Sequence, residues 1–191
     1  MTLAQSLTRL ALGTAFLLLI PLVAMQFDSG VNWTVFDFVV AGGLLFGAGL
    51  TFVLIARKWN NTAYRLGAGV AAAAGLLLVW ANLAVGLVGS QDNPANLLYG
   101  GVLAVALIGA FAARFRPLGM SRAMFGAGLT YVLVTLVALF VWKPTGAGAE
   151  PSVHLLNVLV ANGVFAALWM VSGLLFQRAN AADAGRYSRL A

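Results

Sequence analysis

Six stretches of this 191-residue chain, at 10–27, 35–56, 66–89, 97–113, 123–142 and 155–176, are long and predominantly apolar, and this feature leaves very few folds open. A helix needs about 20 predominantly apolar residues to cross the hydrocarbon of a bilayer. In lipid, a segment must satisfy its own backbone hydrogen bonds, which helices and closed barrels alone can do. A barrel strand would show about 10 residues of alternating polarity, whereas the run AAAAGLLLV at 71–79 has no polar face at all. The connections between the runs are only 7 to 12 residues long, too short for a soluble domain or a long lid. The sequence therefore predicts an all-α, polytopic membrane protein: a compact bundle of six transmembrane helices forming a single transmembrane domain over 1–191.

Charge sets the expected threading. The chain carries 11 Lys+Arg against 5 Asp+Glu, a net charge of +6 that in a soluble protein would suggest nucleic acid. Here the basic residues fall between the apolar runs, so the partner they indicate is the lipid bilayer and not nucleic acid. Lys and Arg in short loops stay cytoplasmic. Arg9, then Arg57, Lys58 and Arg65, then Arg114, Arg116 and Arg122, then Arg178, Arg186 and Arg189 all fall on one side of a six-span topology, leaving Lys143 with Asp28, Asp92 and Glu150 on the other. Both termini are then expected in the cytoplasm, with the 90–96 and 143–154 connections outside. The first run could also be read as a cleaved signal peptide, with Pro21 as its breaker. Leu22 and Ala24 make a poor cleavage site, and loss of this run would leave an odd number of spans, so it is read as a retained anchor.

Polar residues inside or at the ends of the runs are the candidates for function, because each is costly in lipid and needs a partner. Asp37 sits two residues inside the second run. Asn82 and Asn162 each lie seven residues from the outer end of their runs, about 10 Å deep at the helical rise. His154 and Asn157, three apart, share a face at the mouth of the sixth run. One reading is an outward-facing polar pocket of Asp37, Asn82, His154, Asn157 and Asn162 that holds an ion, a proton or a small polar ligand. The competing reading is interhelical glue, with Asn side chains bonded across packed helices and Asp37 favoured by the positive end of its helix.

Catalytic chemistry finds no foothold. Cysteine is absent, which excludes disulfides, thiolate nucleophiles and cysteine-ligated metals. One histidine without cysteine falls short of a metal set, and no His-Glu-x-x-His, nucleophile elbow or phosphate-binding Gly loop occurs. No metal and no cofactor is therefore expected, and no catalytic residue is assigned. Gly43 and Gly47 have the small-xxx-small spacing that lets helices approach closely, so the chain is expected to form a homo-oligomer or to pack against a membrane protein partner. Trp33, Tyr99 and Trp142 are read as markers of the outer interface and Trp59, Tyr64 and Tyr187 of the inner one, with Trp80 and Trp169 inside the spans as core.

Two stretches carry a resemblance. Leu19-Ile20-Pro21-Leu22-Val23-Ala24-Met25-Gln26-Phe27 leads to Val31-Asn32-Trp33-Thr34-Val35-Phe36-Asp37-Phe38, and Trp80-Ala81-Asn82-Leu83-Ala84-Val85-Gly86 leads to Asp92-Asn93-Pro94-Ala95-Asn96. Together they resemble a group of small, uncharacterised multi-pass bacterial membrane proteins. The resemblance implies a location in the bacterial cytoplasmic (inner) membrane. It implies no reaction and transfers no site residue. The functional expectation is an interaction or accessory subunit, with a small channel or transporter as the alternative.

Overall fold

In the computed structural model the described residues are 2–27, 30–88, 92–140 and 155–187. Every regular element among them is helical: α1 (Leu3–Ala24), α2 (Val35–Ala56), α3 (Thr62–Ala84), a short 3-10 helix (Pro94–Tyr99), α4 (Gly100–Ala112), α5 (Pro117–Phe140) and α6 (Leu155–Tyr187). Six of these stretches are long and apolar enough to cross a membrane, the 3-10 helix and α4 counting together as one. The protein is thus an all-α membrane protein with six candidate spans.

The helices outrun the apolar windows where local chemistry favours it. α1 begins at a capping box, in which the Thr2 hydroxyl accepts from the Gln5 N–H and the Gln5 side chain accepts from the Thr2 N–H, satisfying two otherwise orphan donors. It continues through Pro21 to Ala24. α5 starts at Pro117 rather than near 123, because proline at the first helical position lacks only a donor that would be unpaired there anyway. α6 carries on past its apolar run to Tyr187, through Ala179, Ala181, Ala182 and Ala184, the residue type with the best helix propensity.

The chain divides into two compact units, residues 1–55 and 56–191. In the first, α1 and α2 form an antiparallel hairpin. A Cβ at Gly49 would collide with the Leu10 side chain, and one at Gly42 would lie 3.2 Å from Leu18 Cδ1. These glycines let leucines of α1 sit against the α2 backbone. No residue of α1 is buried.

In the second unit α6 lies between α3 and α5, and α4 packs on α5. Small residues set these spacings. A Cβ at Gly109 would come within 2.7 Å of Ala123 Cβ, so α4 and α5 touch almost backbone to backbone. Gly67 faces Phe176, and Gly128 faces Trp169 and Met170. Trp169, Tyr64, Tyr99, Tyr131, Phe176, Leu78 and Met120 fill the core. The Trp169 indole N–H has no hydrogen-bond partner among the described residues.

The α4–α5 turn closes one end of this unit. The Phe115 N–H bonds the Ala110 carbonyl (3.1 Å) and the Arg114 N–H the Phe111 carbonyl (2.9 Å), which is the Schellman pattern of helix termination. Its two left-handed residues are Arg114 (φ 50°) and Phe115 (φ 59°), not glycine. Each costs roughly 1–2 kcal/mol. The Phe115 carbonyl is fixed by two aromatic donors, Tyr64 Oη at 2.7 Å and Trp59 Nε1 at 3.0 Å. The α2–α3 connection and the α4–α5 turn thus meet at one end of the bundle, and the Asn61 side chain ties the same end to the Ala179 carbonyl of α6 at 3.4 Å.

Candidate functional site

At the opposite end a buried polar cluster is built from five segments. α3 ends at Ala84, and Gly86, with a φ of 76°, turns the chain, its N–H on the Ala81 carbonyl at 3.0 Å. The next two residues are then fixed by Asn96, whose Oδ1 accepts from the Leu87 N–H at 2.9 Å and the Val88 N–H at 3.0 Å. Asn96 is itself set by the 3-10 helix, which opens with the Asn93 side chain capping the Ala95 N–H. This chain of short-range bonds delivers the Leu87 carbonyl to α6, where Asn162 Nδ2 donates to it at 3.3 Å.

Asn162 is the hub. Only 3% exposed, it accepts at Oδ1 from Tyr99 Oη of the 3-10 helix at 2.8 Å and from Tyr131 Oη of α5 at 2.9 Å. A carbonyl oxygen has two lone pairs, and the two phenols fill them. The Thr135 hydroxyl, 3.3 Å from the same oxygen, lies closer to the Tyr131 carbonyl and to Tyr99 Oη, both at 3.0 Å. Reversing the Asn162 amide would set its oxygen against the Leu87 carbonyl, so the hydrogen-bond network fixes its orientation. The Tyr131 ring also stacks on Phe165, with centroids 5.9 Å apart and planes 6° apart.

Beside the hub, between α5 and α6, lies a groove of about 150 Å³ lined by Tyr131, Val132, Thr135, Leu136, Leu159, Asn162, Gly163 and Ala166. Its walls are mainly aliphatic, and Val132, Leu136 and Leu159 are exposed on the outside of the bundle. Space of this kind suits a hydrocarbon segment better than an ion, which would need several oxygen ligands.

The remaining sequence candidates find separate partners. Asp37 Oδ2 accepts from the Thr34 N–H at 2.7 Å and the Thr34 hydroxyl at 2.8 Å, and Thr34 Oγ1 accepts from the Asp37 N–H at 3.3 Å. That reciprocal cap accounts for a carboxylate in the first turn of α2. Asn82 Nδ2 donates to the Leu78 carbonyl of its own helix at 2.9 Å, while its Oδ1 is buried without a partner among the described residues. His154 lies outside the described residues, and Asn157 lies on α6 with its side chain outside them. Among the described residues no group of three His, Cys, Asp or Glu side chains could hold a metal ion.

Equal depth placed Asn82 and Asn162 together in the sequence, yet the hub is made from Tyr99, Tyr131, Thr135, Asn96 and a backbone carbonyl. Tyr99, expected at the interface, is almost fully buried. The usable signal was a phenol inside an apolar run, since a buried Tyr hydroxyl requires a partner. Tyr131 stands mid-run, four residues before Thr135 on the same helical face. No family model, curated protein or solved structure matches this chain.

Proposed function

We propose that this chain is a non-catalytic interaction or accessory subunit of the bacterial cytoplasmic membrane, threaded with the 57–65 and 114–122 connections and both termini on the cytoplasmic side, and associated with further copies or with a membrane protein partner. The observation that supports this reading best is the closure of the Asn162 hub. Its amide oxygen is consumed by two phenols and its amide nitrogen reaches a backbone carbonyl, which is what interhelical glue requires and what a hydrated path does not. Ser172 behaves likewise, donating to the Gly67 carbonyl at 2.9 Å. The hairpin adds support, since Leu12, Phe16 and Ile20 of α1 are all strongly exposed and offer a long apolar surface to lipid or to another helix.

Three experiments test the proposal together. Proton, ion and small-solute flux should not rise above that of empty liposomes when the purified protein is reconstituted. Residue-specific crosslinking from α1 in native membranes should trap a second copy or a defined partner. Saturable flux would overturn the accessory reading in favour of the small channel or carrier, and a monomer that crosslinks to nothing would overturn the association. A single cysteine at Asn93, in a chain with no other, should react only from outside. Labelling from the cytoplasmic side alone would overturn the threading.

A further inference from the structure

We infer that the α2–α3 connection and the α4–α5 turn together form a binding site for the headgroup of an anionic phospholipid, whose acyl chains lie along the outer face of α4. Lys58 Nζ stands 5.6 Å from the centre of the Phe115 ring, and Phe115 is flanked in the chain by Arg114 and Arg116. All three cations are exposed. Neither segment, RKWNNTAYR at 57–65 or ARFRPLGMSR at 113–122, contains an acidic residue. Like charges gathered on rigid backbone repel one another, and a phosphodiester accepting from guanidinium and ammonium groups removes that repulsion with short, charge-assisted hydrogen bonds.

The second observation is the backbone that carries these charges. A left-handed residue after a helix is ordinarily glycine, yet the chain places Arg114 and Phe115 there and fixes the strained carbonyl with Trp59 and Tyr64. Strain kept at a site where glycine would relieve it points to a use for the side chains. Glycine would supply neither the charge nor the ring that Lys58 approaches.

The third observation identifies the ligand as a lipid. Phe111 packs edge-on against Phe115, with centroids 5.3 Å apart, and Phe111 and Ile108 are 67% and 68% exposed. They form an apolar track that starts at the charged turn and runs along a membrane-spanning helix. A soluble anion would gain nothing from it. Basic pockets at helix ends are a known mode of recognising anionic headgroups.

The test uses the full-length protein, purified in mild detergent and stripped of lipid, with phosphatidylglycerol, phosphatidylcholine and inorganic phosphate as probes. Retained lipid is counted by native mass spectrometry and stabilisation read from the melting temperature. Phosphatidylglycerol should bind and raise the Tm, and phosphatidylcholine should not. Replacing Lys58 and Arg116 with Gln should weaken phosphatidylglycerol binding about fivefold per cation, whereas replacing Arg65 and Arg178, exposed at the same end on α3 and α6, should change it less than twofold. Arg114→Gly separates the two roles of that residue: it should raise the lipid-free Tm by relieving the left-handed backbone while lowering lipid affinity. Arg116→Gln, outside the left-handed pair, serves if that variant fails to fold. Equal binding of the two lipids, equal loss in the Arg65 and Arg178 control, or full displacement by millimolar inorganic phosphate would each overturn the site.

Discussion

The α1–α2 hairpin and the α3–α6 unit are made from helices of similar length, yet they are assembled on different principles. Among the described residues α2 has the most apolar membrane window and is almost wholly unburied, while α5 has the least apolar one and the largest buried share, 44% against 0% for α1. The order is the reverse of a soluble protein's. In lipid an aliphatic side chain gains little by moving inside, because the tails around it are equally apolar, whereas hydroxyls and amides gain a hydrogen-bond partner there. α5 is interior because it carries Tyr131 and Thr135; between Leu10 and Ala24, α1 carries only one polar side chain, Thr14, and none of its residues is buried. Hydropathy therefore locates the spans, and the polar exceptions to it locate the core.

That contrast can be broken experimentally, and the largest effect should come from the hub. Asn162→Leu strands the Tyr131 hydroxyl and the Leu87 carbonyl and leaves Tyr99 only Thr135, and should cost about 2–4 kcal/mol in thermal unfolding in detergent. An unchanged Tm would mean that the second unit is held by packing alone. Gly109→Val comes next. It forces a branched side chain into the 2.7 Å approach to Ala123 and should destabilise by about 1–3 kcal/mol. Gly43→Val in α2, where a Cβ meets nothing within 4 Å, should lower the Tm far less; a comparable loss there would show that the open glycine face is packed against a partner under the conditions of measurement. Thr34→Ala removes the α2 cap and should cost about 1 kcal/mol, measurable as faster hydrogen exchange in the first turn of the hairpin. Smallest of all is Asn82→Leu. Because among the described residues Asn82 bonds only its own helix and buries an unpaired oxygen, the change should be neutral or slightly stabilising. A loss above about 1 kcal/mol would place a partner on Asn82 Oδ1.

The legible part of the sequence was whatever a single helix decides for itself. Six spans followed from apolar length, and the described residues hold six helices of that kind; Trp59 and Tyr64, within 57–65, meet the 114–122 connection at the Phe115 carbonyl. Boundaries slipped where a cap or a polar Ala-rich tail extended the helix beyond its apolar window, as in α5 and α6. The hub was half legible. Asn162 stood out as a polar residue in lipid, but depth along the helix gives its height and not its azimuth. Asn82, at the same height, turns back to its own Leu78 carbonyl, while Tyr99 and Tyr131 come round from two other elements. Rotation about the helix axis is set by packing between helices, which the sequence encodes only through small residues such as Gly109 and Gly128.

The order of synthesis gives the hub a temporal side. Tyr99 and Asn162 are 63 positions apart in the chain, and at a translation rate of about 5–20 residues per second the phenol emerges roughly 3–13 s before its acceptor. Tyr131 and Thr135 also wait. During that interval α3, α4 and α5 occupy the membrane without the helix that lies between α3 and α5. Their hydroxyls must borrow partners from lipid headgroups, from water at the surface or from the insertion machinery, and the arrival of α6 ends the loan. The arrival of α6 is thus what commits the other three, and a ribosome stalled before residue 162 would leave these spans inserted but unable to close.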